Sequence, residues 1–230
     1  MSLFDKTEDF DADVFRNITT LRVSEDLFDD LSDGDTELSA IAVEAEMRVR
    51  QKLQPSSPGV IHRPFQYSQA IEYPFKTEPY LSTRYGDGTY GVWYGSLEFE
   101  TTIHETCHHF QAAESAIEGL DEIVVRDRAV YEIHCRAILI DLREKARKHP
   151  DLVADSYFFT QSLGKRIQAE GHPGLLVPSA RCKGNNLAAF KPEILSDPRN
   201  YCYLTYYYDP RKRSVRVGRT EGETLIEIQY

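Results

Sequence analysis

Apolar residues recur along this chain in short runs, broken by Gly, Pro and polar clusters. The clearest pattern lies between Ser82 and His109, STRYGDGTYGVWYGSLEFETTIHETCHH. Gly86-Asp87-Gly88 predicts a tight turn, since Gly accepts positive φ and Asp can bond its own backbone. Tyr90, Val92 and Tyr94 alternate with small or apolar neighbours and predict a strand. Ser96 is an N-cap residue with Glu98 and Glu100 placed for a first helical turn. The helix that follows should bury Phe99, Ile103, Phe110, Ala113 and Ile117 on one face. Glu105 and His108 lie off that stripe and face solvent or a cleft.

The rest of the chain reads in weaker strokes. Residues 4–35 are acidic and poorly periodic, with Val14-Phe15-Arg16 a short apolar-basic island; the acids of Asp29–Asp35 read as solvated loop. Thr36 is a candidate cap for a helix to about Leu53, and Pro55-Ser56-Ser57-Pro58-Gly59 is the one linker-like stretch. Residues 1–55 are therefore expected to form an acidic, partly helical extension packed on a single domain spanning 1–230. Phe65 to Tyr80 is aromatic and β-like, punctuated by Pro74 and Pro79. Residues 123–140 predict a strand or strand pair, with His134 a paired or half-buried sheet residue. Arg143 to His149 is a basic turn or short helix. Tyr157 to Ala169 predicts an amphipathic helix with Phe158, Leu163 and Ile167 inward. Leu175–Val177, Leu187–Phe190, Tyr201–Tyr208, Ser214–Val217 and Thr224–Ile228 predict strands, and Pro178–Asn186 a polar loop.

Composition narrows the function classes. With 37 acidic and 27 basic residues the net charge is −10, which argues against broad binding to nucleic acid or anionic membrane. An anionic ligand would need a local arginine pocket. The 14 tyrosines then fit core and inter-sheet packing better than a base-stacking platform. The first eight residues are polar, unlike a signal peptide, and no apolar run approaches the ~20 residues of a spanning helix. Cys107, Cys135, Cys182 and Cys202 are widely spaced without C-x-x-C, as expected of reduced cytoplasmic thiols. One pentapeptide carries a chemistry of its own. His104-Glu105-Thr106-Cys107-His108 matches H-E-x-x-H, in which two histidines a helical turn apart bind zinc and the glutamate acts as general base. A zinc metallohydrolase using His104, Glu105 and His108 is thus one reading. It lacks a recognisable third ligand, Glu122 and Glu132 being merely available carboxylates.

A second reading rests on several segments in order: TRYGDGTYGVWYGS followed by ETTIHE, then LIDL at 139–142, then GHPGLLVPSARCKGNNLAAFKP at 171–192. Arg84, Glu105 and Ser179 within them resemble the arginine, glutamate and serine of the RES-domain family, toxins of bacterial toxin–antitoxin modules. The resemblance runs from about Phe15 to Leu204. It departs from the family in having Tyr85, where Trp or Phe often follows the arginine. It implies an α+β (mixed) fold of ADP-ribosyltransferase-like packed β-sheets with surrounding helices. It also implies cleavage of the nicotinamide–ribose bond of NAD by phosphorolysis, hydrolysis or ADP-ribosyl transfer, with NAD as substrate and no metal. Arg84 would clamp the pyrophosphate, with Arg16 a second phosphate contact. Glu105 would stabilise the oxocarbenium-like ribose. Tyr94 would stack on nicotinamide or hydrogen-bond the ribose, beside Tyr85. Ser179 would bind ribose or phosphate, or orient Glu105. The implied partner is a cognate Xre-type antitoxin, with no direct nucleic-acid or membrane contact; a homo-oligomer is left open.

Overall fold

The computed structural model describes residues 3–19, 67–76, 79–220 and 222–230. All belong to one compact unit, Met1–Thr20 with Phe65–Tyr230. The acidic cluster at 29–35, the expected helix from Thr36 to Leu53 and the linker at 55–59 lie outside the described residues.

The acidic N-terminal stretch begins with a 13-residue strand, β1 (Thr7–Thr19). Phe10 and Val14 are buried, while Asp9, Asp11 and Asp13 are exposed. The charges mask a period-2 pattern, which is why the stretch reads as aperiodic. β1 is an integral part of the sheet and not a layer laid on it. It pairs antiparallel with β3 (Val124–Asp141) over its full length, from Thr7↔Ile140 to Thr19↔Arg128.

Five strands close on one another. The far end of β3 meets β4 (Gly174–Pro178) in parallel at Ile140↔Leu175 and Asp141↔Leu176. β4 pairs with β5 (Asn185–Ala189), and β5 with β2 (Trp93–Ser96). β2 returns to β1 at Phe15↔Ser96. The first part of β3 pairs instead with β6 (Leu195–Asp209), which leads on to β7 (Ser214–Gly218) and β8 (Ile226–Gln229). Register shifts on β3 at Val130/Tyr131 and Glu132/His134 let one strand serve both partners, since a bulge bends a strand and raises its twist. The stretch 123–140 is thus one strand and not a pair. His134 is held between Asp13 (3.0 Å) and Asp11 (3.2 Å).

Among the described residues the three α-helices are α1 (Tyr67–Lys76), α2 (Phe99–Ser115) and α3 (Phe158–Ala169). The fold is accordingly α+β, an eight-stranded mixed sheet with helices packed on it. α1 overturns the expectation of β structure at Phe65–Tyr80. Pro74 lacks the N–H that would serve the Ala70 carbonyl, and Trp93 Nε1 donates to that carbonyl instead at 2.7 Å. A partner from another strand therefore makes a proline-containing helix tolerable here.

One core cluster draws on every strand of the closed ring: Phe10, Trp93, Leu139, Leu176 and Leu187. A second, with Tyr85, Ile140, Leu142, Leu175 and Ile167, lies under α3. The third seats α2 through Ile103, Cys107 and Phe110 on Leu204, Tyr206, Val215 and Val217. The α2 stripe is therefore Ile103, Cys107, Phe110 and Glu114, and the expected Ala113 and Ile117 are exposed. Phe158, expected inward, is 85% exposed, because α3 turns Thr160, Gly164 and Ile167 to the protein. All four cysteines are free thiols, and burial pushes Cys107 and Cys135 up to about 12. No helix among the described residues is long and apolar enough to cross a membrane.

Candidate active site

Ser96 ends β2 and does not cap α2; its place in the β2–β5 ladder is opposite Asn186. The N-cap is Glu98, extended at φ −116° and ψ 143°. The Glu98 carboxylate accepts from Thr101 Oγ1 (2.8 Å) and from the Asn185 backbone N–H (2.9 Å). The tip of the 179–184 loop lies close by: a Cβ on Gly184 would fall 1.8 Å from Thr101 Oγ1. α2 therefore starts where β5 and this loop can grip it.

Two turns along the helix, Glu105 is half-buried and faces the same strand. Its Oε1 accepts from Ser179 Oγ and from Asn186 Nδ2, each at 2.7 Å. Asn186 Oδ1 in turn accepts from Ser96 Oγ at 2.7 Å. Ser179 Oγ also accepts the backbone N–H groups of Arg181 (3.0 Å) and Cys182 (3.2 Å). A hydroxyl has one proton and two lone pairs, so every hydrogen-bonding capacity of Ser179 is in use. Its one proton goes to Glu105.

Arg84 stands in a second group. Its Nη1 donates to the carbonyl of Ala154 at 2.7 Å, and its guanidinium lies 4.7 Å from the centre of the Tyr157 ring. The loop that carries it is tied down from four directions. Tyr94 Oη accepts from the Tyr85 N–H and pairs with Thr83 Oγ1, both at 2.9 Å. Gln161 of α3 donates to the Thr83 carbonyl at 3.0 Å, and Tyr90 Oη donates to the Tyr85 carbonyl at 2.9 Å. Asp87 accepts from the Thr89 N–H at 3.0 Å, and Gly88 takes φ 91°, completing the expected turn. Gly164 of α3 closes the last side: a Cβ there would lie 1.9 Å from the Tyr85 carbonyl.

These contacts redefine two of the expected residues. Tyr85 is fully buried with its ring in the core beneath α3, and its backbone N–H is held by Tyr94. Burial raises the phenol of Tyr94 above its ordinary range, outweighing the bonds from Thr83 and Tyr85 that pull the other way. Arg16 leaves β1 on the face opposite its neighbour Asn17, lying 5.4 Å from the Trp93 ring and donating to the Tyr94 carbonyl at 2.6 Å. Burial, and then the like charge of Arg128, lower it to about 10. The structure thus joins Glu105 to Ser179, joins Arg84 to Tyr94 and Tyr85, and attaches Arg16 behind Tyr94.

Other residues complete the surroundings without having been singled out in the sequence. Arg128 donates to Asn17 Oδ1 at 2.7 Å, and Asn17 donates to Tyr206 Oη (2.9 Å) and Thr106 Oγ1 (3.2 Å), under α2 beside Glu105. Arg181 pairs with Asp155 at 2.9 Å. By contrast, among the described residues Arg16, Arg84 and Arg128 have no carboxylate partner. Burial and then the charge of Arg181 hold His108 below the usual histidine range, with Glu105 pulling the other way. Burial likewise lowers His109, which feels Glu105, Arg181, Arg84 and Arg128. Residues of the zinc motif have contacts of their own. His104 Nε2 lies 3.8 Å from Glu100, while Glu105 turns to Ser179 and Asn186. Among the described residues, no three His, Cys, Asp or Glu side chains converge as a metal-holding group.

Asn186 was legible only as part of a polar loop. The signal that could have found it is alternation: in a strand ending LAA, Asn186 shares a face with Ala188, so a polar side chain falls at an inward position.

Comparison with known proteins gives a family and a fold. The family model described as RES domain matches residues 45–209. No curated protein matches the chain. Among solved structures, the chain is similar to one in the crystal structure of the M. tuberculosis MbcT–MbcA toxin–antitoxin complex. The identity is 13%, covering 90% of this chain and 89% of that one, with a TM-score of 0.47.

Proposed function

Because the chain belongs to the RES domain family, we propose that it is the toxin of a toxin–antitoxin pair and cleaves the nicotinamide–ribose bond of NAD. The observation that carries the reading is Glu105, a carboxylate with one oxygen fixed by two donors, Ser179 Oγ and Asn186 Nδ2. In this reading the C1′–N bond breaks and its electron pair leaves with nicotinamide, which becomes neutral. Positive charge then develops on the ribose, and a carboxylate already in place stabilises it without reorganising. Arg84, held by the Ala154 carbonyl and Tyr157, keeps the remaining edge of its guanidinium for the pyrophosphate. Tyr94 acts through the Arg84 loop. An oxygen of water, phosphate or a protein side chain closes the new bond at C1′ and gives up its proton.

A carboxylate of an Xre-type antitoxin, set against Arg84 or across the entrance beside Tyr94, would hold such an enzyme inactive in the cytoplasm. An operator-DNA contact would then belong to the antitoxin, because the chain itself is acidic. The test incubates purified protein with NAD, with and without phosphate and a chelator, and identifies products by mass. It is repeated on the complex with the co-purified partner. Nicotinamide release that persists in chelator and falls in the complex is expected. The mass of the ribosyl product names the acceptor. Stoichiometric zinc, with activity lost to the chelator, would replace this reading by the metallohydrolase.

A further inference from the structure

The two oxygens of Glu105 are treated differently. An ionised carboxylate only accepts hydrogen bonds, and both donors, Ser179 Oγ and Asn186 Nδ2, go to Oε1 at 2.7 Å. Among the described residues Oε2 accepts none. The orientation of Asn186 follows from this chemistry. Facing an acceptor-only group, it must present its NH2 to Glu105. Its Oδ1 then faces Ser96, whose hydroxyl must donate. Ser96 is 3% exposed and directly opposite Asn186 in the β2–β5 ladder. The relay Ser96–Asn186–Glu105 therefore has one consistent direction of donation and is anchored in the sheet at its far end. Its neighbour Asn185 holds Glu98 at the start of α2, so β5 grips the helix at two points seven residues apart.

We propose that Asn186, held by Ser96, is a positioning residue for the reaction. Together with Ser179 it pins Oε1 and so selects Oε2 as the oxygen presented to the ribose. This rests on the NAD reading of the same site. Rigid placement has a consequence for rate, because a shift of about 1 Å in a reacting group can cost on the order of 100-fold. A relay that served only to staple β5 to α2 would matter to folding and not to turnover.

The experiment measures kcat and KM for nicotinamide release from NAD, pH–rate profiles and melting temperatures for the wild type and Asn186→Ala, Asn186→Asp, Ser96→Ala and Ser96→Ala/Asn186→Ala. Asn186→Ala should lower kcat by roughly 10–100-fold with little change in KM, as loss of placement predicts. Ser96→Ala should do the same more mildly. The double variant should resemble Asn186→Ala, since residues in one network are not additive. Asn186→Asp sets a second carboxylate against Oε1, so the two share a proton and the acid side of the pH–rate profile moves upward. A wild type that releases no nicotinamide overturns the NAD reading and this role with it. An active wild type whose variants lose only melting temperature, with kcat and pH profile unmoved, overturns the role of Asn186 alone. Ser96→Ala, which removes one hydroxyl, keeps the question decidable if Asn186→Ala does not fold.

Discussion

Replacing Glu105 by glutamine removes a charge and almost no volume, and it leaves an oxygen to accept from Ser179 and Asn186. The fold should therefore hold, and the loss should fall on the barrier. Preorganised electrostatic groups of this kind contribute about 2.7–4 kcal/mol, so kcat for nicotinamide release should drop by roughly 10²–10³-fold at unchanged melting temperature. His104→Ala should stay within a few-fold of wild type, since His104 faces Glu100. Equal damage from both substitutions in folded protein would count against the assignment. At this scale the sequence was most informative where a residue type is chemically scarce: an isolated arginine, a helical glutamate and a serine in a polar loop. It was silent on Asn186, Arg128 and Asn17, whose importance comes from pairing across the sheet and not from any local pattern.

Elements were legible where burial follows one period. β4, β5, β7 and β8 stand within a few residues of their expected places, and α3 was found almost to its ends. Expectation failed where a tertiary partner sets the phase or the type. α1 is a helix because Trp93 serves the carbonyl that Pro74 leaves open. α2 is rotated from its expected stripe because β6 and β7 receive Cys107 as well as Ile103 and Phe110. The close approach of α3 to the Arg84 loop makes a prediction at this scale. Gly164→Ala would put a methyl 1.9 Å from the Tyr85 carbonyl, forcing the backbones apart. Overpacking of this sort costs about 1–3 kcal/mol, read as a lower urea midpoint. The displaced loop carries Arg84, so KM for NAD should rise while the Glu105 relay stays in place.

Across the whole molecule, the ring depends on a charged lock where β1 begins and β3 ends. Asp141, its side chain fully buried, meets Lys6 at 2.7 Å and Arg143 at 2.9 Å, and Arg143 also reaches Glu8. Burial alone would raise the Asp141 carboxyl, but the hydrogen bonds from Arg143 and Lys6 outweigh it and hold the group far below the usual range. A carboxyl depressed in the folded state stabilises fully above its unfolded value, about 3.9, and loses that contribution as pH falls through the folded value. Asp141→Ala should therefore cost about 3 kcal/mol at neutral pH, at the low end for a buried pair because Lys6 is half-exposed to solvent. The gap in urea midpoint between variant and wild type should narrow steadily as pH is lowered below about 4. The closing strand of this ring has a further consequence, in the order of synthesis. β1 is made first and waits for its main partner, because its pairs on β3 lie more than a hundred positions downstream. At ~5–20 residues per second it waits roughly 6–25 s for them, a bare strand edge of the kind that invites aggregation. Asp9, Asp11 and Asp13 keep its exposed face charged through that interval. Once β3 arrives, Asp11 finds a cationic partner in Arg136, and Asp13 finds one in Arg199 when β6 follows.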